Sequence, residues 1–379
     1  MLRSALKVAI ALAAVVLALG IAACGSSSST SSASGSSSKA SSGSSSANTA
    51  AAAAAVARYT GHPTAFPVDQ PLKQRPTGQT LAYLECSTPV CGLFAQLLPP
   101  TQSLLGYKLI VVKGASASGL QSAMTSIIAQ KPNGILLTAI TPDQFAPQLK
   151  QAVQDKIPMA ADGVMNPQKY GIGASNFDQR LSLLAGKLLA DQVISGHGSK
   201  ANAVFYSIPE LDFTSYIQKG YEAEMARLCP SCTNRYVPIP VATVGNTAPT
   251  RVVDDLQSHP DTKVAVFASE ETVAGLPAAL KASGINVDVT GFAPNPTALQ
   301  YIKAGQIQSG LGLDLGVMVW DELDELVRLS THQPLTAGER AGTVPIQFLY
   351  KNDLTGDVTK GWSGYPDFPQ RFAKLWAGK

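Results

Sequence analysis

The sequence predicts an α/β protein with two parallel-sheet layers in tandem. Three observations lead there. Short apolar runs alternate with amphipathic helical stretches along most of the chain. The strand-like runs are apolar throughout rather than every second residue, as in strands covered on both faces. The alternation also starts again near Ala203, so the pattern occurs twice.

The elements follow in order. Thr80–Glu85 reads as the first strand, and Leu93–Leu105 as a helix interrupted at Pro99-Pro100. Tyr107–Val112 is the next strand. Leu120, Ala123, Met124, Ile127 and Ile128 share one helical face. Ile135–Ile140, Ile157–Ala161 and Ile172–Ala174 are strands, with a helix over Gln144–Asp155. Gln179–Ile194 is an apolar helix stopped by Gly196 and Gly198. The second round has strands at Ala203–Ser207 and Tyr236–Pro240, and helices at Phe213–Leu228 and Thr250–Gln257. Val264–Pro296 then forms a strand–helix–strand unit. It carries two polar loops, Ser269-Glu270-Glu271 and Ala293-Pro294-Asn295, and Pro277 is expected to kink its helix. A helix at Ala298–Ala304 and a strand at Ile307–Leu313 come next. In the helix Val317–Leu329, Trp320, Leu323 and Val327 point inward, and Asp321, Glu322, Asp324 and Glu325 are expected on a solvated face. Val344–Leu349 is a late strand, and Phe368–Trp376 a C-terminal helix.

The N-terminus has its own chemistry. Arg3 and Lys7 precede the apolar run Val8–Ala23, which ends in Ile21-Ala22-Ala23-Cys24. A basic start, a short apolar core and small residues before a cleavage point describe a secretory signal peptide, residues 1–23. Ile-Ala-Ala-Cys resembles the lipobox of bacterial lipoproteins, which implies lipidation of Cys24 and an exported protein anchored to the cell membrane. Residues 24–57 are dominated by Ser, Ala, Gly and Thr and are expected to be a flexible tether. Residues 58–79 are proline-rich and aperiodic, an irregular arm. Among the remaining cysteines, Cys86/Cys91 and Cys229/Cys232 form two local pairs, expected as disulfides in an oxidising compartment. Cys229-Pro-Ser-Cys232 follows a helix C-terminus, where the dipole disfavours a thiolate, so a redox role is not expected.

Several function classes drop out. The formal net charge is only +3, without a Lys/Arg block, so no nucleic-acid partner is implied. No Gly-x-Ser-x-Gly elbow, Walker loop or HExxH is present, and the four histidines form no ligand set. No enzyme, metal or cofactor is expected.

Five segments, in order, carry a resemblance: QKPNGILLTAI at Gln130–Ile140, KIPMAAD at Lys156–Asp162, GIGASN at Gly171–Asn176, HPDTKVAVFASEE at His259–Glu271 and NVDVTGFAPNP at Asn286–Pro296. Together they resemble the type I periplasmic solute-binding proteins, the ribose-binding and LacI-like group. The resemblance implies two Rossmann-like parallel-sheet domains joined by a three-crossing hinge near Asn176–Asp178, Leu313–Leu315 and Gly342–Val344. The first domain would be 80–177 plus 314–341, and the second 178–313 plus 342–379. It implies a monomer that takes a small-molecule ligand, sugar-like or other, in the interdomain cleft. A membrane ABC permease would be the partner, or alternatively a membrane signalling receptor. The ligand contacts it points to are Ser87, Thr88, Phe94, Thr141, Asp162, Asn176, Phe213, Tyr216, Glu270, Asn295 and Asp314. The sequence departs from the sugar-binding pattern: Gly163 follows Asp162, Ile217 precedes Gly220 where an Arg is usual, Glu270-Glu271 replaces Asn-Asp, and Ala293 follows Phe292. The missing arginine forks favour a less polar or a cationic ligand.

Overall fold

The computed structural model describes residues 40–64, 66–114 and 116–378. The expected signal peptide and Cys24 lie outside them.

The first lobe is a parallel sheet of β1 (Thr80–Glu85), β2 (Lys108–Lys113), β3 (Gly134–Thr138), β4 (Met159–Asp162) and β5 (Ala174–Phe177), in the order β2-β1-β3-β4-β5. The second lobe repeats the arrangement with β6 (Asn202–Ser207), β7 (Thr233–Pro238), β8 (Val264–Phe267) and β9 (Asp288–Gly291), in the order β7-β6-β8-β9. A bridge from Phe292 to Leu311 continues that sheet to β10 (Gly310–Leu313), which pairs antiparallel with β11 (Ile346–Leu349). Strands β3, β4 and β8 are buried along their whole length, which is why they read as unbroken apolar runs.

The helices are α1 (Ala40–Ala57), α2 (Pro89–Leu97), α3 (Pro99–Leu105), α4 (Ala117–Ala129), α5 (Ala146–Gln154), α6 (Gln179–His197), α7 (Asp212–Leu228), α8 (Ala248–Ser258), α9 (Leu276–Ala282), α10 (Pro296–Ala304), α11 (Leu315–Ser330), α12 (Ala337–Ala341) and α13 (Phe368–Trp376). Leu98 separates α2 from α3, since Pro99 supplies no N–H to continue the first helix. Helices α6 and α7 cross with backbones almost touching. A Cβ on Gly186 would lie 1.8 Å from the Ile217 carbonyl oxygen, and one on Gly220 2.1 Å from that of Leu183. Pro277 does not kink a helix: Gly275, in the left-handed region, starts α9 afresh and puts the proline in its first turn, where no N–H is required.

The chain passes from the first lobe after β5, returns through Asp314 into α11, and crosses again between α12 and β11. The Asp314 N–H donates to the Pro345 carbonyl at 3.0 Å, tying two of these crossings together. A further crossing was not expected. Leu354 and Val358 belong to the second lobe's core, yet α13 packs on α11 and α3 of the first lobe, so the C-terminal end does not stay with the second. The arm joins this strap. The Tyr59 carbonyl accepts from Phe348 of β11, and Leu72 N–H donates to the Leu375 carbonyl. Part of the expected tether is folded too. In α1, Ala52 and Val56 are buried in the main core, four residues apart on one face.

Helix α11 corrects the expected solvated face. Asp321, Glu322, Asp324 and Glu325 are all buried, because α11 lies against β3, β4 and β5 on one side and is covered by α13 and the arm on the other. Arg328 ion-pairs with Asp324 and Glu339 and donates to the Gln70 carbonyl, and the Trp376 indole N–H donates to Asp324. Burial pushes the Asp324 carboxyl up to about 8.

Candidate functional site

In parallel sheets the loops after the strands gather at one end, and ligands bind there. Here those ends face each other across the two lobes. Small-solute sites are cavities of roughly 300–1,000 Å³, and one of ≈ 610 Å³ lies between them. Its first-lobe wall comes from the ends of β1 (Cys86, Ser87, Thr88, Pro89), β2 (Gly114, Ser116) and β3 (Ala139, Ile140, Thr141), with Leu120 and Gln144 behind. Its second-lobe wall comes from the ends of β6 (Glu210, Leu211) and β7 (Val241, Ala242, Val244). The cavity therefore sits on the side of the cleft away from the hinge strands.

The lobes touch around it. Thr141 Oγ1 donates to the Glu210 carbonyl at 3.0 Å, and Asn166 Nδ2 donates to Tyr216 OH at 3.1 Å. The Glu271 carboxylate of the second lobe accepts from the Val90 N–H in the first turn of α2, in the first lobe. Burial nevertheless lifts Glu271 to about 7. The Cys86–Cys91 disulfide, with Cα atoms 5.5 Å apart, closes the loop that presents that turn. Cys229–Cys232 is bridged as well, at the end of α7.

Of the expected contacts, Ser87, Thr88 and Thr141 line the cavity. The others are held elsewhere. Asp162 ends β4 fully buried, shares a hydrogen bond with Glu322, accepts from Thr138 Oγ1 at 3.4 Å, and is pushed by burial to about 7. Asn176 donates to the Met318 carbonyl at 2.8 Å and to Asp321 at 3.2 Å. Asp314 caps α11 through the Val317 N–H and accepts from Ser363 Oγ at 2.7 Å; burial raises it to about 6. Asn295 caps α10 through the Ala298 N–H. Glu270 is fully buried against β10, where a Cβ on Gly310 would lie 2.7 Å from its Oε1, and burial drives its carboxyl well above the usual range. Phe94 is core. Phe213 packs on Phe177, which packs in turn on Phe292, both at 5.5 Å between ring centroids. The Tyr216 ring lies under Lys219 Nζ.

Sequence reasoning missed Leu120, Ile140, Glu210, Leu211, Val241, Ala242 and Val244. The signal was available, because Ile140 ends a strand that the sequence located, and Glu210, Leu211, Val241, Ala242 and Val244 lie within four residues after two others. Among the described residues no group of three His, Cys, Asp or Glu side chains is placed to hold a metal ion.

A family model described as periplasmic binding protein domain matches residues 102–331. Solved structures share the fold at low identity. An ABC transporter solute-binding protein from Agrobacterium vitis, bound with α-D-tagatopyranose, is 16% identical with a TM-score of 0.62, covering 74% of this chain and 97% of its own. A glucose–galactose binding protein from Geobacillus stearothermophilus is 15% identical with a TM-score of 0.62, covering 74% and 99%. A carbohydrate transporter protein from Acidothermus cellulolyticus in complex with myo-inositol is 16% identical with a TM-score of 0.61, covering 78% and 99%. No curated protein sequence matches the chain.

Proposed function

Because the chain belongs to the periplasmic binding protein domain family, we propose that it captures a small organic solute between its lobes, outside the cytoplasmic membrane, and hands it to the permease of an ABC importer. The observation that carries this is the cavity of ≈ 610 Å³ walled by strand ends from both lobes. A solute seated there touches both walls, so its binding free energy favours the closed arrangement. Micromolar affinity requires about 8 kcal/mol, within reach of such a pocket. The bound solutes of the A. vitis and A. cellulolyticus structures make sugars and polyols the first comparison set.

Cys24 would hold the protein to the membrane through lipid, with the body acting as a monomer. Mass spectrometry of the mature N-terminus should find a lipidated Cys24, and Cys24→Ala should release the protein from the membrane fraction. Transport is tested by deleting the gene and measuring solute uptake. Uptake should fall to background. Unchanged uptake with a lost transcriptional response to the solute would instead make the protein a sensor.

A further inference from the structure

We propose that the cavity takes a predominantly apolar, uncharged solute, an aliphatic or alicyclic skeleton with one hydroxyl or carbonyl, rather than a sugar. This rests on the cavity being the solute site.

The walls favour carbon. Leu120 and Ile140 face it from the first lobe, and Leu211, Val241 and Val244 from the second. Removing apolar surface from water is favourable in proportion to the area removed. That gain goes to a ligand with matching apolar surface.

The polar groups are mostly committed to the protein. Thr141 Oγ1 donates to the Glu210 carbonyl. Ser116 Oγ accepts from the Gly119 N–H and so caps α4. Thr88 Oγ1 lies 3.5 and 3.7 Å from the sulfurs of Cys86 and Cys91. Glu210, the one ionisable residue among the described lining residues, accepts from the Val241 N–H through Oε2 at 3.3 Å. Ser87 and Gln144 remain at the first-lobe wall to meet a single polar group.

A sugar needs the reverse. Each hydroxyl buried without a partner carries its full desolvation penalty. Among the described residues, the lining offers no arginine, asparagine or aspartate to meet several hydroxyls, and no aromatic ring to stack on a pyranose face. The rings that would serve, Phe177, Phe213 and Phe292, pack on one another beside the hinge.

The test uses the purified full chain with four probes: menthol and cyclohexanol on one side, D-galactose and myo-inositol on the other. Calorimetry and thermal unfolding are read for each. Menthol should bind and raise the unfolding midpoint, with the sugar and polyol at least tenfold weaker. Val244→Asp should weaken menthol about tenfold or more, equivalent to ~1.4 kcal/mol. Ala242→Asp, at an exposed rim position, gives the same direction if the first variant folds poorly. Menthol binding equally well to both variants overturns the proposal. Tighter binding of galactose or inositol overturns the solute class and leaves the receptor reading standing. Failure of both probe sets to bind overturns the class, and failure of a wider solute screen as well overturns the receptor reading.

Discussion

The two sides of the interlobe cleft are both built from strand ends, and they differ in chemistry. On the hinge side, the ends of β4, β9 and β10 present Asp162, Phe292 and Asp314, and each is buried and already partnered. Glu270, after β8, is buried against the same region. On the far side, the ends of β1, β2, β6 and β7 leave an apolar space of ≈ 610 Å³. The crossings explain the contrast. Where the chain passes between lobes, the surfaces stay in contact, water is excluded, and most polar side chains find partners within the protein, the Glu270 carboxyl oxygens being buried without one. Where the lobes only approach, room is left for a solute. An acid at a strand end is therefore not by itself a ligand contact.

The largest effect should come from the filled side. Phe292→Ala removes a fully buried ring and should cost about 3–5 kcal/mol of stability in chemical denaturation. A loss under about 1 kcal/mol would mean that the aromatic cluster is loosely packed.

The buried acids make a pH prediction next. Burial raises Asp162 and Glu271 to about 7, Asp314 to about 6 and Asp324 to about 8, from ordinary values near 4. The folded state thus holds protons that the unfolded chain releases. These groups contribute stability that is fully present below the unfolded values and is lost as pH rises through about 6–8. The unfolding midpoint should fall between pH 5.5 and 8.5, and Asp162→Asn should flatten the slope. A midpoint that rises over that range contradicts the burial of these carboxyls.

Contacts across the cleft should matter less. Glu271→Ala leaves the Val90 N–H without its acceptor and should weaken closure by about 1–3 kcal/mol. Faster hydrogen exchange at Val90 would report it. Tyr216→Phe removes the acceptor for Asn166 at an exposed position, and should cost no more than about 0.5–1 kcal/mol. An effect larger than that of Glu271→Ala would reverse the order of these two contacts.

Much of the fold was legible in the sequence because it is local. Val264–Phe267, Asn202–Ser207 and Gly134–Thr138 are apolar runs between helical stretches, and Phe368–Trp376 has the helix bounds expected. The failures are non-local. Asp321, Glu322, Asp324 and Glu325 look like a solvated face until Gln70 and Trp376, far away in sequence, are seen to cover α11. Pro277 looks like a kink unless Gly275 is read as a restart. The resemblance pointed to Asp162, Asn176, Glu270 and Asp314, whereas the space lies at the ends of the strands farthest from the hinge. Which strand ends stay open depends on how two lobes meet, and no single stretch of sequence encodes that.

A solute seated in the ≈ 610 Å³ space would touch Val244, which lines it, and not Glu270. The most direct measurement is the affinity of one bound solute for the wild type, Val244→Asp and Glu270→Gln. Burial raises the Glu270 carboxyl well above its usual range, which favours the neutral acid that glutamine matches in shape. Binding on the far side should give a loss of about tenfold or more, ~1.4 kcal/mol, for Val244→Asp and less than about twofold for Glu270→Gln. A large loss for Glu270→Gln with Val244→Asp unchanged would place the solute on the hinge side and contradict it.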